Sequence, residues 1–309
     1  MPKLSFQYVR QGEEETLLAF LERRFKYHSA EEWHALIAKG FVKVNGRKRK
    51  PGHVLQSRHK IIYEPPPRAE PPVDGHFRVL YEDADILVVS KSGNIPTSPS
   101  GKYWHNTLVH LLQRAFGNPD LHAVHRLDRE TSGINVFAKR KAVAGLLGGH
   151  LRDGSVEKEY TAILQGHLVA GEALVSAPLG DDPHSSVHIK QAVRSDGRPS
   201  RTRFVLRARL PGASLVTIRP YTGRTHQIRV HAAYLGHPVW GDKLYGVPEA
   251  DFLDWIDHGA RTAENRHLLH ASALRFAHPI TGHVLSLYDA PRDLLTLFYA
   301  STGGEGSSA

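Results

Sequence analysis

The chain has 309 residues, 40% of them hydrophobic, with a formal net charge of +9 and no cysteine. That length allows one large domain or two unequal ones, each with a core. The missing cysteines exclude disulfides, thiolate metal sites and cysteine nucleophiles, and they suit a reducing compartment.

The opening stretch, MPKLSFQYVRQGEEE, lacks the apolar core of a signal peptide, and no apolar run is long enough to cross a bilayer. A cytoplasmic protein is expected. Residues 1–68 hold fourteen Lys/Arg, seven Glu and no Asp, so +7 of the total +9 sits at one end. Concentrated positive charge favours polyanionic partners. EETLLAFLERRF places Leu17, Leu18, Phe20, Leu21 and Phe25 at helical spacing. SAEEWHALIAKG opens with Ser29 and Glu32, the spacing of a capping box, and closes on Gly40. In FVKVNGRKRK, Phe41, Val42 and Val44 can pack inward, and Asn45-Gly46 signals a tight hairpin. Arg47, Lys48, Arg49 and Lys50 then form a basic edge, and HKIIYEPP supplies a further strand. Two helices, a GFVKVNG turn and a closing strand resemble the small S-four-like RNA-binding domain. The resemblance covers about residues 1–66 and implies RNA contact through the basic edge.

YEPPPRAEPPVDG carries five prolines in thirteen residues, which keeps a chain extended. A linker is placed over residues 67–76, followed by a larger domain over 77–300 and a disordered tail, STGGEGSSA, over 301–309. The larger region is strand-rich: FRVLYEDADILVVSK as two strands, then GINVFAK, KEYTAILQGHL, SRTRFVLRARL, ASLVTIRPY, HASALRFAH and HVLSLYD. Helical patterns fall at KAVAGLLGGHLRDG, THQIRVHAAYLG, ADFLDWIDHG and RDLLTLFYA. Adjacent strand pairs with short turns predict an α+β fold: a mixed, mainly antiparallel sheet with helices around it.

HRLDRETSG, His125 to Gly133, sets Asp128 between Arg126 and Arg129 just before an apolar strand. Neighbouring positive charge favours the carboxylate, and an ionised carboxylate can serve as nucleophile or base. A salt bridge or a helix cap would account for an isolated aspartate as well. IRPYTGRTHQIRVHAAYLGHPVWGDKLYG, Ile218 to Gly246, reads as a strand, a Thr222-Gly223 turn and a cationic helix with Arg224, His226, Arg229 and His231 near its start. Gly223 suits a tight turn, and the exposed amides and cations suit a phosphate. Metal binding by His226 and His231 is disfavoured: their spacing is five, no acidic residue lies between them, and helical zinc ligands stand four apart.

HRLDRETSG, KEYTAIL and TGRTHQIRVHAAYLGHPVWGDKLYG, preceded by ILVVSKSGNIPTSPS, resemble the ordered motifs of RluA-type pseudouridine synthases over about residues 78–300. Ser90-Lys91-Ser92 departs from the Asn-Lys-Pro usual in that family. The resemblance implies isomerisation of uridine in RNA without metal or cofactor: the base leaves C1′, turns, and rejoins through C5. It assigns Asp128 as the catalytic aspartate, Arg224 as its arginine partner and Tyr160 as the active-site tyrosine. Ile228 takes an apolar place near the base. Arg126 and Arg129 meet phosphates, or Arg126 supports the loop, and His226 and Arg229 join the substrate-binding surface. His122 and His125 are read as loop residues. The target uridine must leave its stack, at a cost of a few kcal/mol.

Large-subunit ribosomal RNA is the expected partner, with transfer RNA as an alternative, and a monomer is expected. A non-catalytic RNA-binding factor would not need Asp128, Tyr160 and Arg224 together. A hydrolase using Asp128 would need a metal cluster or a second carboxylate, and Glu130 is placed to point elsewhere.

Overall fold

The computed structural model describes residues 4–10, 12–25, 28–66, 69–259 and 265–302. The chain divides into two units, residues 1–71 with 100–105, and residues 72–99 with 106–309.

In the first unit the elements run β1 (Leu4–Gln7), α1 (Leu17–Arg24), α2 (Ala30–Ala38), β2 (Val42–Val44), β3 (Arg47–Lys48) and β4 (Lys60–Tyr63). The strands form an antiparallel sheet in the order β1-β4-β2-β3. Ser29 caps α2 as its sequence predicts, accepting from Glu32 N while the Glu32 side chain accepts from Ser29 N. Asn45 and Gly46 both take positive φ, 49° and 76°, which gives the two-residue turn a twist that matches its strands. Leu17, Leu21, Trp33, Ile37, Val42 and Ile61 form the core. Arg47, Lys48, Arg49 and Lys50 are all exposed. Strand β1 was not expected from the sequence. Its four residues alternate outward and inward against β4, a pattern too short to stand out.

The second unit continues with β5 (Phe77–Glu82), β6 (Ile86–Lys91), α3 (Leu108–Ala115), β7 (His122–Ala123), β8 (Ser132–Ala138), α4 (Lys141–Asp153) and β9 (Glu157–Gln165). Then come β10 (Glu172–Ser176), β11 (Leu179–Asp181), β12 (Gln191–Val193), β13 (Arg201–Leu210), β14 (Ala213–Pro220), α5 (Gln227–Tyr234) and α6 (Glu249–His258). The last elements are β15 (Leu269–Ala277), β16 (Val284–Tyr288) and α7 (Leu294–Thr302). One ten-stranded sheet follows the order β10-β13-β14-β9-β15-β8-β6-β5, with β16 on β15 and β7 on β8. Among the described residues only β15 and β8 pair in parallel, so the sheet is mixed and mainly antiparallel, as expected. Helix α7 includes Ser301 and Thr302, which the sequence had placed in a disordered tail; residues 303–309 lie outside those described.

Strand β8 is buried along its whole length, inside the sheet between β15 and β6. The glycine of its leading TSG is required there. Gly133 has φ +104°, and a Cβ on it would lie 2.3 Å from the Ala271 carbonyl oxygen of β15. This close approach brings the loop before β8 beside the end of β9, where Ala271 also pairs with Tyr160.

Candidate active site

Asp128 sits on the loop that leads into β8, and the loop is held from several sides. Thr97 Oγ1 accepts from Leu127 N at 3.1 Å and donates to Asn135 Oδ1 at 3.0 Å. Asn135 Nδ2 donates in turn to the His125 carbonyl at 3.2 Å. His125 Nε2 accepts from Val136 N at 3.3 Å, and burial, with Lys158 adding, pushes its imidazole down to about 4. It is therefore a neutral loop support, as the sequence suggested.

Lys91, at the end of β6, is 1% exposed. Its ammonium donates to the carbonyls of Ser92 at 2.8 Å, Ile95 at 2.8 Å and Arg129 at 3.1 Å. It ties the 92–95 turn to the residue after Asp128. The rest of the motif is also structural. Glu130 accepts from Arg129, from Lys243 at 3.1 Å and from His267 N at 2.9 Å. Thr131 Oγ1 meets His267 at 2.8 Å, and Ser132 Oγ meets His270 at 2.9 Å.

The two arginines beside Asp128 divide the expected roles. Arg126 is exposed. Arg129, expected to meet phosphate, is turned into the protein: it bonds Asn94 Oδ1 and Glu130 and stacks over Trp255 at 5.4 Å. Loop support thus falls to Arg129 rather than Arg126.

The expected Asp128–Arg224 pair does not form. Arg229 donates to Asp128 Oδ2 from Nη1 at 2.9 Å, whereas the Arg224 side chain donates from Nε to the Pro199 carbonyl at 3.2 Å. The reason is helical geometry. Arg224 precedes α5, while Arg229 stands three residues past His226 on one face of it. The left-handed residue at this turn is His226, φ +53°, and not Gly223. Gln227 shapes the turn instead: Oε1 accepts from Arg224 N at 3.0 Å and Thr222 Oγ1 at 2.7 Å, and Nε2 donates to Arg201 O at 3.0 Å.

Arg229 is fixed by a second carboxylate. Asp242 receives its Nε at 2.6 Å and its Nη2 at 2.8 Å, a two-pronged grip, and also accepts from Leu244 N and Tyr245 N. Tyr245 lies under the guanidinium at 5.0 Å and meets His226 Nδ1 at 2.7 Å. Asp242, Tyr245 and Lys91 were missed from sequence. The available signal was the short GDKLYG run following the cationic helix.

Burial alone would raise the pKa of Asp128, but His226, Arg229 and Lys91 outweigh it and hold the carboxyl below its usual 3.8. His226 is itself held below 6.5, chiefly by burial, and is neutral at pH 7. The standing partner of the carboxylate is therefore Arg229. The Asp128 side chain remains 31% exposed, so a ligand can reach it.

Tyr160 on β9, near enough to feel the Asp128 charge, packs against the apolar cluster that holds Ile218 and Ile228. Burial, with the Asp128 charge adding, raises the Tyr160 phenol above its ordinary 10.0, so it stays protonated at neutral pH. The ring can stack and the hydroxyl can donate. It is not a ready-made base.

His231 is fully buried, with Nδ1 on Thr202 Oγ1 at 2.8 Å and Nε2 on the Ala177 carbonyl at 2.9 Å, a structural role. Asp83, Asp85 and His278 do come together, at the other end of β6 from Lys91. His278 Nδ1 accepts from Ile280 N and Thr281 N, so the proton sits on Nε2, which lies 2.9 Å from Asp83 Oδ2 without a hydrogen bond to it. Asp83 Oδ1 is taken by Asp85 N and Ile86 N, and Asp85 pairs with Arg140. That tautomer offers a metal no lone pair.

Residues 85–234 match the family model described as RNA pseudouridylate synthase. The chain is 34% identical over 285 residues to the ribosomal large subunit pseudouridine synthase C of Escherichia coli K12, covering 89% of this chain and 88% of that protein. It is 35% identical over 275 residues to the protein of the same name in Pasteurella multocida, covering 84% and 81%. Among solved structures, human RNA pseudouridylate synthase domain containing 1 superposes with a TM-score of 0.59 at 29% identity, over 74% of this chain and 89% of that one. With a buried guanidinium holding a reachable aspartate beside a tyrosine, and with relatives this similar along most of its length, the chain belongs to the RNA pseudouridine synthase family, the enzymes that isomerise uridine in RNA to pseudouridine.

Proposed function

We propose that the enzyme modifies uridine in large-subunit ribosomal RNA, acting as a monomer in the cytoplasm. The ribosomal target rests on the relatives' names and on their coverage of nearly the whole chain. The observation that carries the catalytic assignment is the Arg229–Asp128 contact at 2.9 Å in a site open to ligand. Either step at the ribose, attack on C1′ or removal of a ribose proton, needs the carboxylate ionised, and Arg229 keeps it so. Tyr160 stacks on the extruded uracil, Ile228 takes an apolar place near the base, and Arg126 meets a backbone phosphate. The N1–C1′ bond breaks, the base turns and bonds to C1′ through C5, and the C5 proton is then lost while N1 gains one. Bonds broken and formed balance, so the reaction requires no cofactor.

Residues 1–66 act as the S-four-like RNA-binding module, joined by residues 67–76 to the catalytic domain of residues 77–300. The module's support is the exposed run Arg47–Lys50. Lys48–Lys50, with Pro51, Gly52, His34 and His53, line a surface groove of about 660 Å³. Chemical mapping of pseudouridine across total RNA, from cells with and without the gene, tests the target. A site lost from large-subunit ribosomal RNA supports the reading; a site lost only from transfer RNA moves the target there.

A further inference from the structure

Arg224, displaced from the role its sequence position suggested, belongs to a second polar groove. This groove, about 480 Å³, is lined by the ends of β11 and β12, the 194–198 turn and the Arg224-Thr225 loop. Its frame is rigid. Leu179 and Arg198 exchange backbone hydrogen bonds at 3.0 and 2.8 Å. A Cβ on Gly197 would lie 2.7 Å from the Leu179 carbonyl carbon, so the turn is packed directly on β11.

The groove's acids are largely occupied, as is Arg194, whereas Arg198 and Arg224 keep open donors among the described residues. Asp196 is gripped by Arg194 through two bonds, 2.8 and 2.6 Å, and Asp181 Oδ1 accepts from Gln191 Nε2 at 2.8 Å. Arg198 is exposed, with no hydrogen bond or ion pair for its guanidinium among the described residues. Arg224 is anchored by Nε on the Pro199 carbonyl, and its two terminal nitrogens take no partner among the described residues. Thr225 adds an exposed hydroxyl.

An anchored guanidinium with two open amino groups, lining the same groove as a second unpaired guanidinium, has the chemistry of a phosphodiester clamp. It also stands beside the reaction. Thr225 adjoins His226, whose Nε2 lies 3.9 Å from Asp128 Oδ1, and consecutive Cα atoms are only about 3.8 Å apart. We propose that this groove holds the phosphodiester of an unpaired nucleotide flanking the target uridine, gripped by Arg198 and Arg224, so that Arg224 acts in substrate positioning. The proposal rests on the RNA-modifying function above and adds a second backbone subsite to it.

The test is binding of the full-length protein to an oligouridylate of about ten nucleotides, by fluorescence anisotropy over a range of salt. Arg198→Ala is expected to weaken binding severalfold and to lower the log–log salt slope by about 0.7, one single-strand phosphate contact. Arg198→Lys is expected to recover the slope but only part of the affinity, because it keeps the charge and loses the planar fork. With cognate RNA, Arg198→Ala is expected to raise KM and to leave kcat in place. An unchanged slope and affinity in Arg198→Ala overturns the subsite, as does a fall in kcat alone. Either result leaves the Asp128 chemistry untouched, since Asp128→Asn is read separately by product formation.

Discussion

Replacing Arg229 by glutamine removes three charge-assisted hydrogen bonds, two to Asp242 and one to Asp128. Asp242 is fully buried on its side chain and Arg229 is 9% exposed there, so solvent cannot take over for the lost partner. Breaking such a buried pair costs about 3–5 kcal/mol. At roughly 2–4 °C per kcal/mol for a domain of this size, the melting temperature should fall by roughly 6–20 °C. The pH dependence weakens as well. In the native protein Asp128 is held below its usual pKa, so its stabilisation is present above about pH 4 and is lost as pH falls through the lower folded value. Without Arg229 the folded pKa of Asp128 rises, while His226 and Lys91 still oppose burial, so this acid-labile stabilisation shrinks. Thermal melts at several pH values, with single-turnover product formation at each, read both effects. Arg224→Gln loses one bond to a carbonyl and should cost about 1 kcal/mol or less. Equal melting shifts in the two variants would refute the assignment of Arg229 as the partner of Asp128.

Lys91→Met should destabilise the protein by at least about 3 kcal/mol, because three carbonyls lose a buried donor; chemical denaturation reads this, together with a fall in kcat as the Asp128 loop loosens. Tyr160→Phe should bind RNA normally but turn over more slowly, and the wild-type rate should show no phenol ionisation below about pH 10. A break near neutral pH that vanishes in Tyr160→Phe contradicts a protonated donor. Alanine at Arg47, Lys48, Arg49 and Lys50 together should weaken RNA binding and reduce the salt slope by up to about 3, measured by anisotropy. An unchanged slope counts against the basic edge as an RNA contact.

What the sequence disclosed was periodic or punctuated. The capping box at Ser29, the Asn45-Gly46 turn and the long strands of the larger sheet all stand where their patterns placed them. Short elements escaped: β1, β7 and the β11–β12 pair have too few residues to establish a period, and their stability comes from neighbours distant in the chain. Helix α3 escaped despite its amphipathic pattern, with Leu108, Val109 and Leu112 buried. At the site, Asp128 and Tyr160 were reached through the ordered motifs that resemble the family, since each alone reads as a salt-bridged aspartate or an ordinary strand aromatic. The choice between Arg224 and Arg229 could not be reached that way, because it turns on where α5 begins, and Gln227 and the left-handed His226 set that start. The spacing of three between His226 and Arg229 was the usable clue. Asp242 became visible only once folding closed its grip on Arg229.

The most direct measurement is tritium release from RNA labelled at C5 of uridine, comparing the native enzyme with Asp128→Asn. The asparagine is nearly isosteric, and Arg229 keeps Asp242, so fold and RNA affinity should persist while release falls to background. Release at the native rate from the well-folded variant would contradict a mechanism centred on that carboxylate.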